Sequence, residues 1–267
     1  MDVVALIGVG LLTGVTTVLF GFGGGFVAVP VVVWADAALG ADAVRVATAT
    51  SALVMVVNAG FATAVTPRRV LAALRGSGTL LLLLAAGAAA GAFAARLAPA
   101  DPARWAFVAY VAVTIADLLL RPGFLRPSAR GTTARDTPRP LPALLGVPVG
   151  AVAAFLGVGG SVMTVPAMRR AGHTMHVATA LANPLTLAIA LPAAVVSLAA
   201  AVVPAATDAH VRLVGLVDVW SASALLLGAL PVIAVLRRRP PRIPDRVHAW
   251  TYIGLLVVVT AAMALSA

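Results

Sequence analysis

The residues of this chain best suited to chemistry are two glycine clusters. Residues 19–30 read Leu-Phe-Gly-Phe-Gly-Gly-Gly-Phe-Val-Ala-Val-Pro, and residues 155–166 read Phe-Leu-Gly-Val-Gly-Gly-Ser-Val-Met-Thr-Val-Pro. Each lies within a long apolar run. Glycine lets a helix stop and turn, and stopping a helix inside lipid frees backbone N–H and C=O groups that need new partners. N–H groups at a helix start carry partial positive charge and suit an anion. Gly23, Gly24 and Gly25, with Gly159, Gly160 and Ser161, are therefore the candidate binding residues. Gly21, Pro30, Gly157 and Pro166 are the expected helix-breaking residues. Thr48, Thr50 and Ser51 follow the first cluster and Asn183 the second. Their hydroxyls and amide can complete an anion cage without burying fixed charge. The competing reading is close helix packing through small side chains, with Ser and Thr bonded to backbone.

Other polar groups within apolar segments carry weaker signals. Asp117 and Asp218 are ionisable groups inside predicted spans, hence candidates for coupling transport to an ion. Asp117 stands four residues before Arg121, which also suits a plain ion pair. Asn58 reads as glue between helices, and His173 and His176 as interfacial residues. Ser161 with His176 or His210 would make a hydrolase only with serine and histidine in hydrogen-bond reach beside an oxyanion pocket. No protease-type motif surrounds Ser161, and the first cluster has Gly25 in its place, so the chain is read as non-enzymatic. It has no Cys, which excludes disulfides, thiolate metal sites and cysteine nucleophiles. No metal or cofactor is expected. No Walker-type phosphate loop is present, so ATP hydrolysis is not expected either.

The elements that position these residues follow from composition. Hydrophobic residues make up 61% of the 267 and charged residues 10%. A soluble domain carries about 25% charged residues, so the solvent of this chain is lipid. Apolar stretches fall at 3–34, 46–66, 79–97, 104–120, 141–168, 177–204, 212–236 and 249–266. All 19 cations are Arg, concentrated between the stretches in the loops around 67–78, 121–140 and 237–248. That arrangement argues for cytoplasmic loops rather than nucleic-acid binding. The N-terminus lacks a basic region and reads as the start of the first membrane segment rather than a cleaved signal peptide.

The loops at 121–140 and 237–248 lie on the same side only if the stretches between them cross an even number of times. A hairpin at 141–168, turning at Gly157–Gly160, achieves this; its first arm would be about 25 Å long. The same logic at 3–34 makes the first half inverted relative to the second and places 15 of the 19 arginines inside. A break in 177–204, at Pro184 and Pro192, is the alternative.

Duplication supports that scheme. At an offset of 136, Gly21, Gly23, Gly24, Val29 and Pro30 align with Gly157, Gly159, Gly160, Val165 and Pro166. Val46-Ala47-Thr48-Ala49 aligns with Val177-Ala178-Thr179-Ala180 at an offset of 131. The expected fold is an all-α polytopic membrane protein of two homologous, inverted four-segment repeats, each beginning with a broken or re-entrant helix pair. The repeats occupy 1–121 and 141–267, with a basic linker at 122–140.

The glycine–proline phrases at 20–30 and 155–166, with Ala-Thr-Ala-Thr-Ser at 47–51, resemble the TauE/SafE family of sulfite and sulfonate exporters. The resemblance covers essentially the whole chain. It implies multi-pass transport in the bacterial cell membrane of small, often sulfur-containing anions, without enzymatic activity. The family's Thr-Ser falls on Thr50 and Ser51, whereas the second half has Leu181 and Ala182 followed by Asn183. The sequence thus predicts a secondary transporter of a small anion, working by alternating access at a midplane site between the paired motifs. An anion channel using the same site is the alternative. The expected partners are the anion and the bilayer.

Overall fold

A computed structural model describes residues 3–125, 141–200 and 212–265. The first described block holds α1 (Val3–Phe20), α2 (Gly25–Ala35), α3 (Ala43–Ala64), the short α4 (Arg68–Leu71), α5 (Gly78–Leu97) and α6 (Ala100–Leu120). The second holds α7 (Gly146–Leu156), α8 (Ser161–Arg170) and α9 (Met175–Leu198). The third opens with a small antiparallel hairpin of β1 (Leu213–Val214) and β2 (Val217–Asp218). It continues with α10 (Val219–Arg238) and α11 (Asp245–Leu265). Most of the linker, including Arg126, Arg130, Arg135 and Arg139, lies outside the described residues, as does His210.

Seven of these helices (α1, α3, α5, α6, α9, α10 and α11) are long and apolar enough to cross a membrane. The protein is an all-α, multi-pass membrane protein. Large apolar side chains such as Leu82, Leu120, Val113 and Val258 point outward, as lipid-facing side chains do. Trp34, Trp105, Trp220 and Trp250 are exposed near helix ends, where amphipathic rings meet the headgroups.

Two apolar stretches depart from a simple span in the way their glycines predict. The stretch 3–34 divides into α1 and α2, and 141–168 into α7 and α8. Two other expectations are corrected. Pro184 and Pro192 do not break the stretch 177–204; both lie inside the continuous α9, as membrane helices allow when neighbours satisfy the freed backbone groups. The stretch at 212–236 is not helical from its start, because the hairpin takes 212–218 and Asp218 caps α10. Asp218 accepts hydrogen bonds from the N–H groups of Arg212, Trp220 and Ser221 (3.2, 3.1 and 3.1 Å).

Helix pairing is crossed between the early and late parts of the chain. The first helix, α1, runs parallel to α10: Gly10 faces Leu225 and Gly228, and Gly14 faces Ala229 and Val232. Likewise α7 runs parallel to α5: Gly146 faces Leu80 and Leu83, Gly150 faces Leu84, and Gly91 faces Ala151. These four-residue glycine spacings bring backbones together, the packing favoured where lipid supplies no hydrophobic drive between helices. Helices α3 and α9 pack on each other in the centre. The far end of α8 is tied to the far end of α6, where Arg170 Nη2 meets Asp117 Oδ2 at 2.6 Å. It is also tied to the start of α11 through Arg169 and Asp245 at 2.7 Å. Since α7 starts beside the start of α5, and α5 and α6 run in succession, both ends of the α7–α8 pair lie at the same end of the bundle.

A side chain at Gly150 would drive into the backbone carbonyl of Leu84. Gly150→Leu should therefore lower stability by about 1–3 kcal/mol, read as a fall in thermal midpoint in detergent. Gly254→Leu, with open space around its Cα, should leave the midpoint within experimental error.

Candidate functional site

The two breaks are made by glycine backbone conformation. Gly21, Gly23 and Gly24 have φ of 74°, 63° and 85°, and Gly157 and Gly159 have 68° and 69°. Side chains are strained in that region, so only glycine writes these turns without penalty. Pro30 and Pro166 are not the breaking residues. They lie inside α2 and α8, each six positions into its helix, where the missing N–H frees the carbonyl of Phe26 or Val162.

The breaks meet each other. A Cβ built at Gly159 would lie 3.3 Å from the carbonyl oxygen of Phe22, and 3.0 and 3.1 Å from Met55 Sδ and Thr186 Cγ2. A Cβ at Gly23 would contact the same two side chains, at 2.9 Å from Thr186 and 3.3 Å from Met55. Met55 on α3 and Thr186 on α9 thus flank both turns. The first turn continues along α9, with Gly21 against Thr179 and Ala182; the second lies along α3, with Gly157 against Thr48 and Ser51. All residues from Phe20 to Gly25 and from Leu156 to Ser161 are buried.

Backbone acceptors at the breaks have been taken by side chains from other helices. Thr186 Oγ1 donates to Gly21 O at 3.3 Å and Tyr252 Oη to Ser161 O at 3.1 Å, while Ser51 Oγ shares its one proton between Thr48 O at 2.8 Å and Gly157 O at 3.1 Å. His248 Nε2 bonds Leu19 O, and since a carbonyl only accepts, that nitrogen carries the proton. The donors fare differently. Neither α2 nor α8 has a side-chain cap at its start, and the first N–H groups of a helix have no partner within it. The two uncapped helix starts therefore converge with the positive ends of their dipoles towards one place.

Several fully buried side chains at the same place lack partners. Asn58 bonds through neither Oδ1 nor Nδ2, and its Nδ2 would lie 2.8 Å from a Cβ at Gly24. It is not the interhelical glue expected from sequence. Asn183 Nδ2 donates weakly to Thr17 O (3.4 Å) and Thr179 O (3.3 Å), leaving Oδ1 unpaired. Ser161 Oγ and Thr164 Oγ1 are also unpaired. The lone Ser161 hydroxyl rules out a Ser161–His176 hydrogen bond in this structure.

Not every candidate reaches the breaks. Thr50 Oγ1 accepts from the Asp218 N–H at 2.9 Å, linking α3 to the hairpin. Asp218 therefore serves that end of the bundle. Asp117 lies at the opposite end, paired with both Arg121 (3.1 Å) and Arg170. Missed from sequence were Met55 and Thr186, and Asn58 is named there with a packing role. Met55 and Thr186 align with each other at the 131-residue offset, and so do Asn58 and Ile189, which abuts Gly160 as Asn58 abuts Gly24. That offset was the available signal.

Cavities approach the two breaks from opposite ends. At the arginine-rich end a cavity of about 850 Å³ reaches Val18 and Leu19, just before the first break. At the hairpin end a cleft of about 20 Å³ reaches Thr48, Ala154 and Phe155, just before the second. Near the hairpin, buried Asp36 leaves Oδ2 unpaired. Burial, with the neighbouring Asp218 charge, raises its carboxyl to about 7.

The sequence model for the family described as Sulfite exporter TauE/SafE matches residues 6–263. The chain belongs to that family, and so to a family of membrane transporters. No curated protein and no solved structure matches it.

Two outcomes follow. Asn58→Leu removes two unsatisfied buried polar atoms, a burden of about 1–3 kcal/mol each, so the thermal midpoint should hold or rise; an Asn that glues helices would give a fall. Because the Asp36 pKa is raised on folding from 3.8 to about 7, its contribution to stability is full below pH 3.8 and lost as pH rises through 7. Asp36→Asn should remove that part of the decline in midpoint between pH 4 and 8.

Proposed function

Starting from membership of the TauE/SafE family, we propose that this protein is a secondary transporter that carries a small sulfur-containing oxyanion across the bacterial cell membrane. The anion binds where the starts of α2 and α8 converge. Gly23, Gly24, Gly25, Gly159, Gly160 and Ser161 supply the backbone donors and Asn58 a free side-chain amide, while Asn183 joins them by turning its Nδ2 from the long bonds to Thr17 O and Thr179 O. Ser51 positions the second turn through its bond to Gly157. The observation that carries this reading is that side chains bond the carbonyls at two adjoining breaks while both helix starts lack a side-chain cap and the Asn58 amide lacks a partner. A neutral donor set binds an anion without the standing penalty of a buried fixed charge.

The repeats are 1–121 and 141–267, inverted and joined by the linker at 122–140. Crossed pairing supports this: α1 on α10 mirrors α7 on α5, and the contacts of Gly21, Gly23 and Gly24 match those of Gly157, Gly159 and Gly160 at constant offsets. Each repeat begins with a hairpin that enters and leaves at one end of the bundle, as the ties of α8 to α6 and α11 support. The arginine-rich end is cytoplasmic. Transport proceeds by alternating access, with the wide cavity as the open cytoplasmic approach and the narrow cleft as its closed counterpart. The membrane potential, about 2.3 kcal/mol per charge per 100 mV, drives anions outward from a negative interior.

The test is stabilisation of the purified protein by sulfite, sulfate, thiosulfate, taurine and acetate, with wild type, Gly24→Leu and Gly160→Leu. A selective rise in thermal midpoint, absent in both folded variants, is expected. A rise that survives in both would return the glycines to a packing role.

A further inference from the structure

The wide cavity at the arginine-rich end has a chemistry of its own. Its wall carries Arg69, His176, Arg238, Arg239 and Arg242, all exposed, with Arg237 set deeper. No Asp lines it among the described residues, and the chain contains no Glu. The nearest such group in sequence, Asp245, is held by Arg169 at 2.7 Å and by the Met175 N–H at 2.8 Å.

Arg237 is the anomaly. Its Nε and Nη2 are buried and have no hydrogen-bond partner. In a guanidinium, Nε–H and Nη2–H point the same way and form the edge that grips two oxygens side-on. Two other arginines in this protein use that edge on a carbonyl. Arg45 grips Ala98 O at 3.2 and 3.0 Å, and Arg169 grips Phe124 O at 3.3 and 3.0 Å. Arg237 has the same edge with no hydrogen-bond partner and no solvent access, so an anion from the cavity reaches it only after the side chain turns. A buried cation without a counter-charge is strongly disfavoured, and an oxyanion in the cavity would supply both the charge and the two acceptors.

We propose that Arg237 is the contact residue of a second oxyanion site, separate from the paired breaks, in the cavity that leads to Leu19. Sulfite, sulfate, a sulfonate and a lipid phosphate share the required chemistry: one negative group presenting two oxygens to the side-on edge. The exposed arginines concentrate anions at the mouth, and Arg237 holds one on the path to the first break. This role on a path rests on the transport reading, whereas the site itself rests on Arg237.

Isothermal titration of sodium sulfite and sodium sulfate into the full-length protein in phosphatidylcholine nanodiscs tests the site. Arg237→Gln should weaken binding about tenfold, the loss of one charge-assisted bidentate pair, and Arg237→Lys by somewhat less. Arg238→Gln removes the same charge from an exposed neighbour and should change affinity less than about twofold. Without anion, Arg237→Gln should be no less heat-stable than wild type. Equal effects of the two glutamine variants would make the surface merely basic and overturn the proposal. Unchanged affinity in folded Arg237→Gln, or a loss of stability without anion, would overturn it too. So would tighter sulfite binding in Asp136→Asn, since a linker carboxylate would then already fill the edge.

Repeating the titration in phosphatidylglycerol nanodiscs identifies the source of the oxyanion. Competition that weakens sulfite binding in wild type more than in Arg237→Gln assigns the site to a headgroup; equal shifts assign it to the free anion. Loss of binding in Arg237→Gln with Gly24→Leu and Gly160→Leu intact rejects the glycine site alone, and the reverse rejects this one alone.

Discussion

A polypeptide in lipid has no water to satisfy its backbone, so a helix that stops in mid-bundle must find partners for every group it frees. Much of the architecture around the two breaks answers that requirement. Leu19, Gly21, Gly157 and Ser161 each offer a carbonyl, and His248 and Tyr252 from α11, Thr186 from α9 and Ser51 from α3 reach in to meet them. The starts of α2 and α8, by contrast, receive no side-chain cap. The proposed anion preference rests on this imbalance in a region without formal charge.

Close packing and binding then draw on the same residue type in different ways. Gly10, Gly14, Gly87, Gly91, Gly146 and Gly150 let backbones approach, and none has positive φ. The glycines at the breaks are needed for their dihedral angles as well as for their lack of bulk. The two half-sites are also chemically uneven. Asn58 stands against Gly24 where Ile189 stands against Gly160, and Ser51 has Ala182 as its counterpart at the 131-residue offset. Asn58 thus adds its amide beside the first turn and Ser51 its hydroxyl beside the second.

The breaks at 21–24 and 157–160 were legible in the sequence because glycine clustering in an apolar run has few other causes. The prolines misled, since a proline inside a membrane helix removes one donor without ending the helix, as Pro184 and Pro192 show in α9. The hairpin at 213–218 was hidden in an apolar stretch whose composition also suits a helix. Asn58 was unreadable for a different reason. Whether a buried amide binds a neighbouring helix or is left waiting depends on what lies opposite, and one chain's residue types do not give that. Thr50 illustrates the same point, since its hydroxyl serves the Asp218 backbone rather than the breaks.

Crossed pairing has a consequence for how the protein is made. Helix α1 leaves the ribosome well before α10, and carries Gly10 and Gly14 on the face that later meets Leu225, Gly228 and Ala229. That partner is separated from it by some two hundred residues of chain. The intervening helices must therefore be inserted while α1 still lacks the partner for its glycine face. A ribosome that stalls before residue 219 leaves α1 to lean on its neighbours α2, α3 and α9, without α10.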